Sequence, residues 1–391
     1  MATRTETNTV TLSVKVGGVD MYSLAGGKSG TKRTFILKEL TVEKKLDAPD
    51  SFRLRYGAQD LGKRLEHKGL MEGKDVEIQM GYGPSPVPIF RGEISYITAV
   101  FGGGQEATFE VSGFDRSHRL TRGSRSRTWG DGIEPQVRYS DVFSEVITEA
   151  KADEGGSSDS LTVGQADAEG PSVAYVPQLN MNDYQFIKSL GSDIDHAVDS
   201  DTMGDDRQIL FRKVDVTGTP VASVCYDKLQ GDNAVRGQST RFRVSTVRQV
   251  AKVVVRGWDP GTKKNIIGEA LSPTLNFGVS PGHQVAGKAH WGGASEGKVC
   301  VVTDHPVESK EEADALAQAL FDQFAMDFVH AEAEIIGTPE AEPGSIVEFK
   351  GYGESFDGKY LVLECSHVYV AGVRNYFTRL VCARNGADGV V

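Results

Sequence analysis

The sequence predicts a mainly β fold with a minority of helix, of the α+β class. Three observations carry this. Apolar and polar residues alternate with a period of two through much of the first part of the chain. Glycine is abundant, 45 of 391 residues, and aromatics make up 8%, as suits a turn-rich β protein. A block of sequence also occurs twice. It reads VEIQMGYG at 76–83 followed by FRGEI at 90–94, then VEFKGYG at 347–353 followed by FDGKY at 356–360.

Val10, Leu12, Val14 and Val16 alternate with polar residues, the pattern of a half-buried strand. Strands follow at 34–42 and 51–56, with Asp47, Pro49 and Asp50 as the turn between them. Val76, Ile78 and Met80 alternate, then Ile94 and Tyr96, then residues 107–112. About six short strands punctuated by glycines make a small barrel or sandwich. Helix signals are fewer. Residues 139–151 place Val142, Phe143, Val146, Ile147 and Ala150 on one face, with Ser140 or Asp141 as N-cap. Residues 182–190 form a second, shorter helix. The third spans 309–328: Ser309 and Glu312 have capping-box spacing, and Ala313, Leu316, Ala317, Leu320, Phe324 and Phe328 form a helical stripe. Leu316, Leu320 and Phe324 are the packing residues of that helix, which should cover a sheet. Residues 151–172 read as a loop, 242–256 as strand or mixed, and 298–303 as strand.

The repeated block reads as a three-strand meander. Gly81 and Gly83, and their counterparts Gly351 and Gly353, supply positive φ for the first turn. Gly92 and Gly358 mark the return to the sheet through a bulge or close backbone approach. Two similar β domains follow, at 8–125 and 240–386, the second carrying the 309–328 helix. A helical and loop-rich insert occupies 130–235.

Chemistry is hard to find. GASEG at 293–297 matches a nucleophile elbow, but a strand follows where a helix is needed. GGKSGTK at 26–32 resembles half a phosphate loop, yet Tyr22 stands where the first glycine belongs. The acid-rich stretch 193–206 ends a calcium-loop count on Gly204 instead of a bidentate glutamate, and reads as a solvated loop. Arg116, Arg119, Arg122, Arg125 and Arg127, with His118 and Trp129, would suit phosphate contacts. A net charge of -11 argues against nucleic acid as a specific partner and for a structural role or salt bridges to a neighbouring subunit. No catalytic, cofactor or metal site is expected. The four cysteines lack C-x-x-C spacing and read as buried thiols of a chain folded in a reducing compartment. No signal-like or membrane-length apolar run occurs.

The segment VSGFDRSHRLTRGSRSRTW at 111–129, with SDVFSEVI from Ser140, resembles the phage late control gene D family. LNMNDYQFIKSL at 179–190 is similar to a helix of VgrG proteins, and the C-terminal region from Ser309 to His367 is similar too. The resemblance spans about residues 30 to 385. It implies a non-enzymatic baseplate hub of a contractile phage tail or injection system. Such a hub is a homotrimer whose paired tail-tube-like barrels adapt a six-fold tube to a three-fold spike. Its partners would be the tail tube protein, other baseplate components and a spike. Since VgrG chains continue into a spike and this sequence stops at Val391, the spike would be a separate protein. The chain would be made in the cytoplasm and assembled into a particle, without stable membrane insertion. The competing reading is a tail-associated cell-wall or polysaccharide hydrolase, which needs a convergent carboxylate pair or a Ser/Cys–His pair.

Overall fold

The computed structural model describes residues 10–387 apart from 26–27, 30–35, 58–69, 85, 102–106, 134, 157–158, 169, 202–203, 232, 275–276, 279, 292–296 and 373–375. Most of the GASEG stretch and of the 26–32 stretch falls outside the described residues. The fold is mainly β. The first module is built from β1 (Val10–Val16), β2 (Val19–Ala25), β3 (Ile36–Lys45), β4 (Ala48–Gly57), β5 (Asp75–Tyr82), β6 (Val87–Val100) and β7 (Thr108–Phe114). These lie side by side in the order β3-β4-β7-β6-β5-β1-β2, every neighbour antiparallel. The alternation in the sequence becomes an inner face: Leu12, Val14, Leu40, Leu54, Ile78, Phe90 and Val111 are buried in one core. Each such side chain contributes about 1.5–3 kcal/mol.

The middle region holds β8 (Arg125–Trp129), α1 (Tyr139–Asp153), β9 (Thr162–Ala166), β10 (Val176–Met181), α2 (Asp183–Asp193), β11 (His196–Ser200) and β12 (Gln208–Lys213). Phe143, Ile147, Phe186, Ile187 and Phe211 form its core, with Trp129 stacked on Phe186 at 5.1 Å. Asn182 caps α2 by accepting the Gln185 N–H at 2.8 Å. In α1 the expected cap is corrected: the N-cap is Arg138, without a side-chain bond, and Ser140 and Asp141 lie inside the helix.

The chain then forms β13 (Ala222–Cys225) and β14 (Ala234–Val244) and leaves into β15 (Lys252–Asp259), β16 (Lys264–Ala270), β17 (Val299–Val302) and α3 (Lys310–Met326). It returns as β18 (Val329–Ile336), β19 (Ile346–Lys350), β20 (Gly358–Val370) and β21 (Tyr376–Arg384). β19, β13, β14, β18, β21 and β20 close into a six-stranded barrel, since β20 also pairs with β19. β15, β16 and β17 form a separate small sheet. α3 packs on it through Ala313, Leu316, Ala317 and Phe321, against Val253, Val255 and Ile266. The helix therefore covers the inserted sheet. Ser309 caps α3 by accepting the Glu312 N–H at 3.1 Å, and the Glu312 carboxylate accepts the Glu308 N–H at 2.7 Å. Cys225, Cys365 and Cys382 are buried free thiols, but Cys300 is only half-buried. No helix among the described residues is long and apolar enough to cross a membrane.

Candidate assembly interface

The two β modules meet edge to edge. β3 pairs antiparallel with the second half of β20, from Lys45 opposite Glu364 to Glu39 opposite Val370. The Leu46 N–H donates to Leu363 O at 3.0 Å and extends the pairing. Leu40, Val42 and Lys44 of β3, and Cys365, His367 and Tyr369 of β20, are all buried there. Lys44 Nζ lies 2.6 Å from Glu342 and 3.9 Å from Asp50. Burial alone would lower this lysine's pKa, but the Glu342 and Asp50 carboxylates outweigh it and hold it above the ordinary value. Burial in turn raises the carboxyls of Glu342, Asp50 and Asp199, and lifts Asp115 to about 6. One cation thus gathers acids from all three parts of the chain. His367 beside it is kept neutral, because burial drives its pKa down to about 3. Its Nδ1 lies 2.9 Å from the Tyr376 hydroxyl.

The modules share a strand order. β5-β6-β7-β4-β3 in the first matches β19-β20-β21-β18-β14 in the second. Glu77 opposite Arg91 corresponds to Glu348 opposite Lys359. The Gly73 N–H donates to Ile94 O, and the Gly344 N–H to Val362 O, both at 2.8 Å. Bulges follow at matching places, between Ile94 and Tyr96 and between Val362 and Glu364. A second matched pair of bulges lies between Leu37 and Glu39 and between Gly237 and Ser239. Two differences remain. The strand beside β5 is β1, antiparallel, while the strand beside β19 is β13, parallel. The inserted sheet and α3 separate β14 from β18, where a tight turn joins β3 to β4.

The repeat glycines are placed as follows. Gly81 lies in β5, and Gly83 follows it with φ 84°. Gly351 and Gly353 form the turn after β19 with φ 83° and 104°. Gly92 sits opposite Val76, but the residue opposite Val347 is Tyr360, so Gly358 is two residues out of step with Gly92. On α3, Leu316 is buried while Leu320 and Phe324 are half-buried. The sequence pattern did not single out Phe321, the large buried side chain of that helix.

The arginine segment is paired within the chain. Arg116 meets Asp75, Asp159 and Asp206. Arg119 meets Glu93, Glu154 and Asp159, and Arg125 and Arg127 share Glu149 and Asp183. In the acidic stretch, Asp201 accepts the Gly204 N–H at 2.8 Å, and no group of three His, Cys, Asp or Glu side chains is placed to hold a metal among the described residues.

In the two modules, two strands run on past the end of one neighbour. After Ile94, β6 has a partner on one side only, β7. After Arg236, β14 likewise has only β18. Tyr96, Val100 and Phe101 are exposed along the first edge. A cleft of about 520 Å³ borders it, lined among others by Glu72, Gly73, Ser95, Tyr96 and His118.

A family model for the Alg8 N-terminal domain matches residues 65–370. The chain belongs to the Alg8 N-terminal domain family. This corrects the assignment that the sequence resemblance implied, to the late control gene D and VgrG families. No curated protein matches this member of the Alg8 N-terminal domain family. Among solved structures, its fold is shared with the 43 kDa tail protein of prophage MuSo2 from Shewanella oneidensis. That likeness has a TM-score of 0.64 at 12% identity, over 97% of this chain and 100% of the other. A tail protein from Neisseria meningitidis gives a TM-score of 0.59 at 12% identity, over 96% of each chain. An E. coli protein described as a component of the type VI secretion system gives 0.56 at 10% identity, over 97% of this chain and 80% of the other.

Proposed function

We propose that the protein is a structural hub of a contractile tail or injection-type particle, a homotrimer that adapts a six-fold tail tube to a three-fold spike. The observation that supports this is the pair of like-ordered β modules joined edge to edge in one chain. Three chains would supply six such modules, so one face can meet a six-fold tube while the assembly itself stays three-fold. The tube protein, a spike and other baseplate components are its partners in this reading, and its role is not enzymatic. The fold shared with tail proteins and a type VI secretion component points the same way. Native mass spectrometry and electron microscopy test it, on the 42.2 kDa chain alone and mixed with tube protein. The expected product is a three-chain ring with six lobes. A chain that stays monomeric in both conditions would sink the reading.

The family match favours a second reading, a glycosyltransferase-like activity. It predicts saturable binding of a sugar nucleotide in calorimetry, which the hub reading does not.

A further inference from the structure

We propose that a second copy of this chain docks its β14 edge on the β6 edge of the first, in the register that the intramolecular joint dictates. The inference rests on the hub reading and adds which edges meet and how. The matching hydrogen bonds and bulges place Val362 at Ile94 and Glu364 at Tyr96. The other pair of bulges, with Val42 opposite Phe52 and Phe242 opposite Ala331, places β3 on β14 with Val42 at Phe242. The joint between β3 and β20 then has an unused counterpart, β14 against β6. Within the chain, Lys45 faces Glu364, Glu43 faces Ser366 and Thr41 faces Val368. Between copies, Ser245 would face Tyr96, Arg243 would face Thr98 and Arg241 would face Val100.

Burial at the two edges supports this. Leu40, Val42 and Lys44 are buried in the joint, whereas their counterparts Thr240, Phe242 and Val244 are only half-buried. Cys365 and His367 are buried, whereas Ile97 and Ala99 are half-buried. The open edges are thus faces with the same inward pattern and a missing neighbour. An unpaired edge with exposed apolar residues is a template for another strand.

The cleft supplies a further match. In the joint, the residue after β3, Leu46, lies 4.0 Å from where a Cβ on Gly344 would stand. The counterpart of Gly344 is Gly73, which has nothing within 4 Å at that position and lines the cleft. Leu46 donates its N–H to Leu363 O. Its counterpart Thr246 would donate to Ser95 O, on the cleft wall. Val247 is 89% exposed and follows Thr246 into the same space. The two edges differ, so the contact is head-to-tail and must close into a ring to remain finite.

Cysteine pairs test the register in a Cys300→Ser background, which removes the half-buried thiol. Thr98→Cys with Arg243→Cys, oxidised by copper–phenanthroline, should give covalent oligomers ending at the trimer. The pair shifted by two residues, Thr98→Cys with Arg241→Cys, should link about tenfold less, because diagonal neighbours lie beyond disulfide reach. Equal linking by both pairs, or a trimer in native mass spectra that the first pair fails to capture, overturns the register and leaves the hub reading standing. A chain that stays monomeric even with tube protein overturns both.

Discussion

Phe321 and Phe324 stand on one helix in different surroundings. Ala313, Ala317, Phe321 and Ala325 form a fully buried ridge, four residues apart. Leu316, Leu320 and Phe324 form the next ridge, which drifts to the rim, where the Arg248 guanidinium sits 5.4 Å from the Phe324 ring. Phe321→Ala should therefore cost about 3–5 kcal/mol in urea unfolding. Phe324→Ala, at a side chain already partly exposed, should cost less, about 1–2 kcal/mol. The buried acids give a pH dependence. Burial lifts Asp193, at the end of α2, to about 7 and Asp115 to about 6. A carboxyl whose folded pKa exceeds its unfolded one binds its proton more tightly in the fold. Its stabilising share is complete below the unfolded value and is lost as pH rises through the folded value. The melting temperature should thus be higher at pH 5 than at pH 8, and Asp193→Asn should flatten the slope near pH 7. A flat profile across that window in the parent chain would contradict the assignment. Lys44→Met should cost about 3–5 kcal/mol at neutral pH, since it strands buried carboxylates without their cation. The loss should shrink as pH falls, because burial raises those carboxyls and lets them take up protons more readily.

At the level of elements, turns and returns differ in what they tolerate. Gly83 has φ 84° and open space in front of it, so Gly83→Ala should cost about 1 kcal/mol, from conformation alone. A Cβ on Gly92 would fall against the Phe114 carbonyl, which is backbone and cannot swing aside. Gly92→Ala should cost about 1–3 kcal/mol, read by thermal unfolding. The three helices were legible locally, α1 and α3 through an apolar stripe and α3 also through its cap, whereas the cap read for α1 was displaced. The repeated Val-Glu strands were legible too, and their pairings with Arg91 and Lys359 correspond. The Phe-X-Gly match was out of step by two residues, because hydrogen-bond register, set by the turns, is invisible in a residue pattern of period two. Residues 242–256 read as one continuous run. The chain divides them between β14 and β15, two sheets separated by the turn at 245–251.

For the whole molecule, what the sequence hid is the long-range pairing. Nothing local marks β3 as the partner of β20, and nothing marks the acids that meet the arginines of 116–127. Asp75 and Asp206 come from opposite sides of that segment to hold Arg116. The buried Lys44 was equally hidden, since a lysine in an alternating strand reads as outward-facing until its acidic neighbours are known. The joint of β3 with β20 also has a consequence in time. A ribosome delivers the rim of the first half early, and the ribbon that seals it emerges only after residue 364. Throughout that interval a growing polypeptide carries a bare, adhesive margin. Nascent chains arrested before residue 364 should therefore recruit holding chaperones or clump together, and those arrested after residue 384 should not.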